Sequence, residues 1–536
     1  MYKRKTFNII FFKRSLICFI TIILLFFTTI LRLAEISLSN HSAVYSTQNG
    51  IRLTIGKTRG TIYDCNNIPL TNSKKNIVAA LSPTPRVITA ISQVLKGEEL
   101  NHTLNRLKDG KPILCELPYK IECDGIICFD TYSSPEIPAL HLLGYTDEDK
   151  KGISGIQKAY NEILENKTDL SVFYPTDAKG RILEGAKPEI ENNSNWFSDG
   201  VVTTIDINIQ SITEKYAENL EKGAIIIAET ESGKIRGYVS RPTFNPENIS
   251  NFLNNNDSPL LDRCLNAYNV GSVFKPCVAI AGIEQGVNFF QYNCTGSCEI
   301  VDRFFKCHSI SGHGNLDLQK ALAFSCNTYF YNFAFKIGKE KIFNTAKTFN
   351  FGQSLKLGKD IFTSKGNLPE KNTLSNIAYL ANFSIGQGEL LLSPISILTL
   401  YCAIANDGEY YIPSVIEATI KDGTIEKYNN GAPTKAINKN TAKTLKSYLN
   451  SVLLEGTGKE ALPKTVTAAG KTATAQTGRY KNNTEICQGW FCGFFPLEQP
   501  KYTVVIFSED ISLQKESCSK IFSLIADEIS QLKNPT

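Results

Sequence analysis

The sequence predicts an α+β protein in which one sheet takes its strands from both ends of a long segment and helices fill the stretch between. Three observations point there. GAIIIAETESGKIRGYVSR reads as two strands about a turn at Glu231-Ser232-Gly233, and strand patterns return in VTAAGKTATAQTG, GWFCGFFP and KYTVVIFSE near the carboxyl end. Between them lie long helical patterns, LQKALAFSCNTYFYNFAFKIG and SPISILTLYCAIANDG. Ahead of both, short apolar runs alternate with polar turns. At 536 residues the chain exceeds one compact core, so two or three domains are expected. Its 57 Lys+Arg and 52 Asp+Glu give +5 with no long block of one sign, which argues against a nucleic-acid groove.

Taken in order, the first element is a membrane anchor. Lys3, Arg4, Lys5, Lys13 and Arg14 precede a run without charge from Leu16 to Leu31. A crossing helix needs about 20 residues and at least about 17, which residues 15–34 supply with snorkelling flanks. The cations place residues 1–14 on the cytoplasmic side. A cleaved signal peptide fits less well, because the apolar run exceeds the usual length and no A-x-A site follows. Residues 35–195 then read as a mixed α/β domain, with NIVAAL and RVITAISQVL among its apolar runs. KPEIENNSNWFSDG, at 187–200, is the candidate linker to a second domain at 196–536. That domain opens with a strand and an amphipathic helix carrying Ile209, Ile212, Tyr216 and Leu220, and closes on the helix SKIFSLIADEISQL.

Of 15 cysteines, Cys18 lies in the anchor. The remaining fourteen permit disulfides without demonstrating any. The densest group, CTGSCEIVDRFFKCH, holds Cys294, Cys298, Cys307 and His308. Its spacing matches no common zinc pattern, so buried thiols or one local disulfide are expected.

Three stretches carry chemistry. In GSVFKPCVAIAG, residues 271–282, a serine and a lysine stand three positions apart before an apolar run. Cys277, Val278, Ala279, Ile280, Ala281 and Ile283 make a helix apolar on all sides, hence buried. Gly271 suits a tight entry, and Pro276 is tolerated only in a first turn. Ser272 then sits at a helix amino terminus, where the dipole favours developing negative charge, with Lys275 one turn on. A serine hydroxyl needs a base, and lysine serves only where desolvation or nearby cations lower its pKa. Taken alone, a capping serine beside a snorkelling lysine is the plainer reading, and the same spacing recurs at Ser512 and Ser517.

AFSCNTYF holds the chain's S-x-N triplet, Ser325 to Asn327. An amide that donates and accepts suits a peptide-like substrate, and Ser325 suits proton transfer. A turn or helix cap is the plainer reading. In AAGKTATAQTG, small residues and threonines around Lys471 fit a strand that another backbone approaches closely. Lys471 with Thr472 and Thr474 forms a carboxylate-binding group. Alone, it is an edge strand with one lysine.

In this order the three stretches resemble the S-x-x-K, S-x-N and K-T-G motifs of penicillin-binding proteins and serine β-lactamases. RGTIYDCNNIPL (59–70), GISGIQKAYNEIL (152–164), SRPTFNPENI (240–249), SIGQGELLLSP (384–394) and GWFCGFFP (489–496) resemble blocks of the class B penicillin-binding proteins, membrane-anchored peptidoglycan D,D-transpeptidases. The resemblance implies an antiparallel sheet with helices on both sides, preceded by a pedestal domain. It implies Ser272 as nucleophile, Lys275 as base, Ser325 as proton relay and Asn327 as a ligand for the donor peptide. Lys471, Thr472 and Thr474 would hold the terminal carboxylate, with the N–H groups of Ser272 and Thr474 as oxyanion hole. The implied partners are D-alanyl-D-alanine stem peptides, an acceptor amine, β-lactams, the membrane and a polytopic glycan polymerase. No metal or organic cofactor is implied. Two positions depart from the family pattern: Ala473 stands where glycine is usual, and Gln157 where glutamate is. A β-lactamase would share the motifs, but no E-x-x-L-N lies between Ser325 and Lys471. A penicillin-binding sensor needs more than a short cytoplasmic tail, and a non-catalytic scaffold would not need every motif side chain.

Overall fold

The structure, a computed structural model, describes residues 2–38, 50–56, 59–165, 169–177, 179–183, 186–191 and 199–532. Residues 192–198 of the candidate linker lie outside them. The chain divides into two compact units that interleave in sequence. Met1–Lys57, Lys75–Thr131 and Thr168–Ser194 form one; Thr58–Lys74, Tyr132–Lys167 and Asn195–Thr536 form the other.

In the first unit, the helix Tyr2–Leu38 carries from Phe11 to Glu35 a stretch long and apolar enough to cross a membrane. Phe11, Phe19, Ile23 and Phe27 stand exposed along it, as suits a helix solvated by lipid with its backbone satisfied internally. Strands Lys74–Leu81, Ile113–Leu117 and Ile126–Ser133 form a sheet with Lys74–Leu81 central. Helices Pro85–Val94 and Gly97–Leu107 join it in a small core around Ala79, Val87, Ile91 and Leu107. NIVAAL is therefore a strand. RVITAISQVL is a helix, started by Thr84, whose side chain accepts from the Val87 N–H, with Pro85 in the first turn.

The second unit is organised by a five-stranded antiparallel sheet. Strands β1 (Gly223–Glu229), β2 (Ile235–Arg241), β3 (Ala469–Lys481), β4 (Thr484–Phe495) and β5 (Tyr502–Ser508) lie in the order β2-β1-β5-β4-β3. Helices α1 (Ile207–Ala217), α2 (Lys275–Glu284), α3 (Leu318–Ala323), α4 (Asn327–Ile337), α5 (Pro394–Ala405) and α6 (Cys518–Gln531) are among the helices of the unit. Side chains alternate across a strand, so β4 shows where two of them pack. Phe491 and Phe495 meet Phe522 of α6 on one face, while Cys492, on the other, neighbours Tyr401 of α5. Helices thus cover both faces. Helix α2 is the expected buried one, with every residue from Lys275 to Gly282 buried.

Where one long helix was expected over LQKALAFSCNTYFYNFAFKIG, the chain forms two. The break falls on Ser325, whose φ is +55°. Its N–H donates to the Leu322 carbonyl and the Cys326 N–H to the Ala321 carbonyl. These are the two bonds of a Schellman helix end, at the position where glycine is usual. Cys326 then caps α4 by accepting from the Tyr329 N–H. The apolar periodicity continues through the break because Leu322, Phe330 and Phe333 enter one core.

Gln157 and Arg59 meet in the second unit. Arg59 Nε donates to the Gln157 side-chain oxygen, and its terminal nitrogens donate to the Lys150 and Gln157 carbonyls at 2.7 Å each. Burial holds this guanidinium down to about 10. All three acceptors are neutral. A charged acceptor is worth about 1 kcal/mol more than a neutral one, so Gln157→Glu is expected to raise the thermal unfolding midpoint, whereas an unchanged or lower midpoint would show that the buried pair does not repay its desolvation.

Candidate active site

Three neighbours hold the turn that carries Ser272. Gly271 has φ +57°, and its N–H donates to the Gly386 carbonyl at 2.9 Å. A Cβ on Gly271 would stand 3.1 Å from the Ala475 Cβ and 3.5 Å from that of Ala473. Glycine is required both by the backbone and by the approach of β3. Residues Gly271–Phe274 form a 3-10 turn running into α2, with Pro276 in the first helical turn. Ser272 is half-buried at its head. From α5, the buried Tyr401 hydroxyl donates to the Val273 carbonyl at 3.0 Å.

Lys275 is wholly buried, and its amine fastens α2 to the S-x-N turn. Nζ donates to the Ser325 carbonyl at 2.7 Å, to Asn327 Oδ1 at 2.7 Å and to Ser325 Oγ at 3.2 Å. An ammonium has three donors, and all three find oxygen. The Phe330 ring centroid lies 5.3 Å from the same nitrogen. Burial, the largest influence, brings Lys275 down to about 7, opposed by the Cys326 and Cys307 thiols. A neutral amine keeps two N–H bonds, enough for both 2.7 Å contacts, and frees a lone pair for a hydroxyl. That is what a general base requires.

Lys471 lies on β3 opposite Cys492, and Ala473 lies opposite Trp490. Both therefore face the side of the sheet that packs against α5. Lys471 Nζ donates to the Thr472 carbonyl at 3.0 Å and reaches Thr472 Oγ1 at 3.5 Å. Burial first, and the charge of Lys275 second, hold Lys471 well below the usual lysine range. The motifs therefore meet: Gly271 abuts β3, Lys275 bonds Ser325 and Asn327, and Lys471 senses Lys275. Thr474 is exposed three residues beyond Lys471 along β3 and takes no part in these bonds.

Two contributors were not visible as motifs. Thr457 Oγ1 shares a 2.7 Å hydrogen bond with Thr472 Oγ1, and its N–H donates to the Ala323 carbonyl at 3.0 Å. Gly456 passes so near that a Cβ would lie 2.1 Å from the same carbonyl. This loop ties the S-x-N turn to β3, and its only signal was the paired glycines of EGTGK. Tyr401 gave no signal, standing in a largely apolar helix.

A serine at a helix head, a desolvated lysine bound to an S-x-N turn and a second lysine on the adjoining strand form the layout of a serine acyltransferase that works without histidine. The family model described as the penicillin binding protein transpeptidase domain matches residues 223–527. The chain belongs to this family, as a class B penicillin-binding protein, the group of the peptidoglycan D,D-transpeptidases. It is 30% identical over 386 residues to the stage V sporulation protein D of Bacillus subtilis, covering 68% of this chain and 58% of that protein's length. With the peptidoglycan D,D-transpeptidase MrdA of Acinetobacter baumannii it shares 25% identity over 551 aligned residues, 87% of this chain and 79% of the relative. Among solved structures, penicillin-binding protein 3 of Mycobacterium tuberculosis complexed with aztreonam has the same fold. The TM-score is 0.65 at 20% identity, over 90% of this chain and 97% of that one. The penicillin-binding protein 2 of Helicobacter pylori, in complex with MreC, gives 0.64 at 21% identity, over 90% and 99%.

The left-handed backbone of Ser325 costs about 1–2 kcal/mol that glycine would not incur. Ser325→Gly is therefore expected to unfold at no lower a temperature than Ser325→Ala, while its acylation by a fluorescent penicillin falls about 10²-fold or more for want of the hydroxyl. Full acylation of the glycine variant would remove Ser325 from the proton path.

Proposed function

We propose that Ser272 is the nucleophile of a D,D-transpeptidation in which Lys275 takes its proton. The observation that carries this reading is the buried Lys275 amine, held by Ser325 and Asn327 and brought down to about 7. Ser272 Oγ attacks the carbonyl of the penultimate D-alanine of a stem peptide. The proton passes to Lys275 and, through Ser325, to the departing D-alanine nitrogen. A neighbouring stem's amine then attacks the acyl-enzyme, forms the cross-link and returns the proton to Ser272. Asn327 binds the donor's amide, and Lys471, Thr472 and Thr474 hold its terminal carboxylate. The N–H groups of Ser272 and Thr474 stabilise the oxyanion. An anionic carboxylate beside Lys471 favours a proton there, and the charge on Lys471 in turn keeps Lys275 neutral. Substrate binding thus prepares the base.

Around this centre the chain is organised as a cytoplasmic tail (1–14), an anchor (15–34), a pedestal (35–195), of which residues 58–74 and 132–167 belong to the same compact unit as the carboxyl-terminal domain, and an extracytoplasmic transpeptidase domain (196–536). β-Lactams acylate Ser272 in place of the stem peptide. A polytopic glycan polymerase is the membrane partner that would deliver uncross-linked strands.

Labelling with a fluorescent penicillin tests the assignment. A covalent adduct is expected in the wild type and none in Ser272→Ala; persistent labelling of the variant would move the nucleophile elsewhere. The rate of labelling should climb about 10-fold per pH unit below about 7 and level off above it, because only unprotonated Lys275 accepts the proton. A flat rate down to pH 5 would exclude Lys275 as the base.

A further inference from the structure

Four side chains that the reaction does not use converge beside the S-x-N turn. Cys294 ends the strand Tyr292–Cys294, Cys307 follows Arg303–Lys306, and His313 precedes Gly314–Leu316. Cys326 lies between Ser325 and Asn327. Their sulfur and imidazole nitrogen atoms all lie within 4.8 Å of one another. Cys294 Sγ and Cys307 Sγ are each 3.6 Å from His313 Nδ1, and Cys307 Sγ is 3.8 Å from Cys326 Sγ. A tetrahedral zinc ion with sulfur at about 2.3 Å and nitrogen at about 2.0–2.1 Å needs edges of about 3.8 Å between sulfurs and about 3.5 Å from sulfur to nitrogen. These three distances meet that requirement.

The backbone fixes the cluster. Cys294 pairs with Gly314, the His313 N–H donates to the Cys294 carbonyl at 3.0 Å, and the Cys307 N–H donates to the Gly296 carbonyl at 2.8 Å. All three cysteines are buried. A supporting set of donors surrounds the sulfurs. Thr328 Oγ1 donates to Cys294 Sγ at 3.1 Å and lies 3.3 Å from Cys326 Sγ, which also accepts from the Tyr329 N–H at 3.5 Å. Hydrogen bonds aimed at metal-bound thiolates are the usual outer shell of such sites.

We propose that Cys294, Cys307, His313 and Cys326 hold one zinc ion in a closed tetrahedral site. Through Cys326, the ion fixes the turn that presents Ser325 and Asn327 to Lys275. Three thiolates and an imidazole in this disposition suit zinc among divalent first-row ions, and four protein ligands leave no open position for chemistry. The ligand pattern is C-x12-C-x5-H-x12-C. It retains Cys294 and Cys307 of the group that stood out in the sequence. Cys298, on the strand Ser297–Ile300, and His308 give way to Cys326 and His313. The metal site stands on ligand geometry alone, whereas its effect on acylation rests on Lys275 being the base.

The test uses the full chain in detergent, purified under reducing conditions without chelator. Elemental analysis is expected to find about one zinc per chain in the wild type and in Ser272→Ala, and under about 0.2 in Cys294→Ser and His313→Ala. Cobalt(II) added after chelation should give the visible and charge-transfer bands of a tetrahedral thiolate site. Chelated wild type, whose fold needs no substitution, is expected to label with fluorescent penicillin about 10-fold more slowly and to recover with added zinc. Absence of metal together with two thiols missing from an alkylation count would overturn the site in favour of a Cys307–Cys326 disulfide. Absence of metal with every thiol free would overturn it in favour of buried thiols. Bound zinc whose removal leaves labelling unchanged would overturn the positioning role alone. A zinc-loaded wild type that never labels would overturn the acylation reading and leave the metal site intact.

Discussion

The Lys275 amine sits where water cannot reach it, and the site is arranged around the consequence. An unpaired ammonium in such a place would cost several kcal/mol. The chain meets that cost with oxygens from one short turn, the Ser325 carbonyl and hydroxyl and the Asn327 amide. Those oxygens converge only because Ser325 adopts a left-handed conformation and splits one helix into α3 and α4. Local strain and amine desolvation are thus two sides of one arrangement. Burial brings the lysine down to about 7, so that it can give up its proton near neutrality.

The second constraint is closeness. Gly271 lies against Ala473 and Ala475, so the serine turn and β3 meet with nothing larger than a methyl group between them. This brings Lys275 close enough for its charge to disfavour protonation of Lys471. Ala473 contributes one of the methyl groups at this contact. Tyr401 from α5 and the Gly456–Thr457 loop hold the arrangement from outside, each by a bond to a backbone carbonyl of a motif-bearing segment.

The S-x-N turn is therefore held from three directions: by Lys275 from α2, by Thr457 through Ala323, and by the cysteine-histidine cluster through Cys326. The zinc ion proposed for that cluster would be the stiffest of these ties, because four ligands from separate strands and turns would have to agree on one centre. The cluster lies next to the residues that bond the Lys275 amine, which would give it a role in positioning, outside the bond-making steps.

Much of this was legible in the chain. Alternating apolar residues announced the strands, the uninterrupted apolar run after Lys275 announced its burial, and the order of three short motifs announced the chemistry. These are properties of neighbours in sequence, set by backbone periodicity and side-chain polarity. The rest depends on residues far apart in the chain. The break at Ser325 was legible only as the turn or cap reading of its S-x-N triplet, because the apolar rhythm runs through it. The interleaving of residues 58–74 and 132–167 with the carboxyl-terminal unit has no compositional mark. The partners of Cys294 and Cys307 proved to be Cys326 and His313, because strand pairing brings Gly314 opposite Cys294 and carries His313 with it. Sequence determined which groups were available and which would be buried. Only the tertiary structure decided which of them touch, because desolvation and hydrogen bonding depend on neighbours that the linear chain does not place side by side.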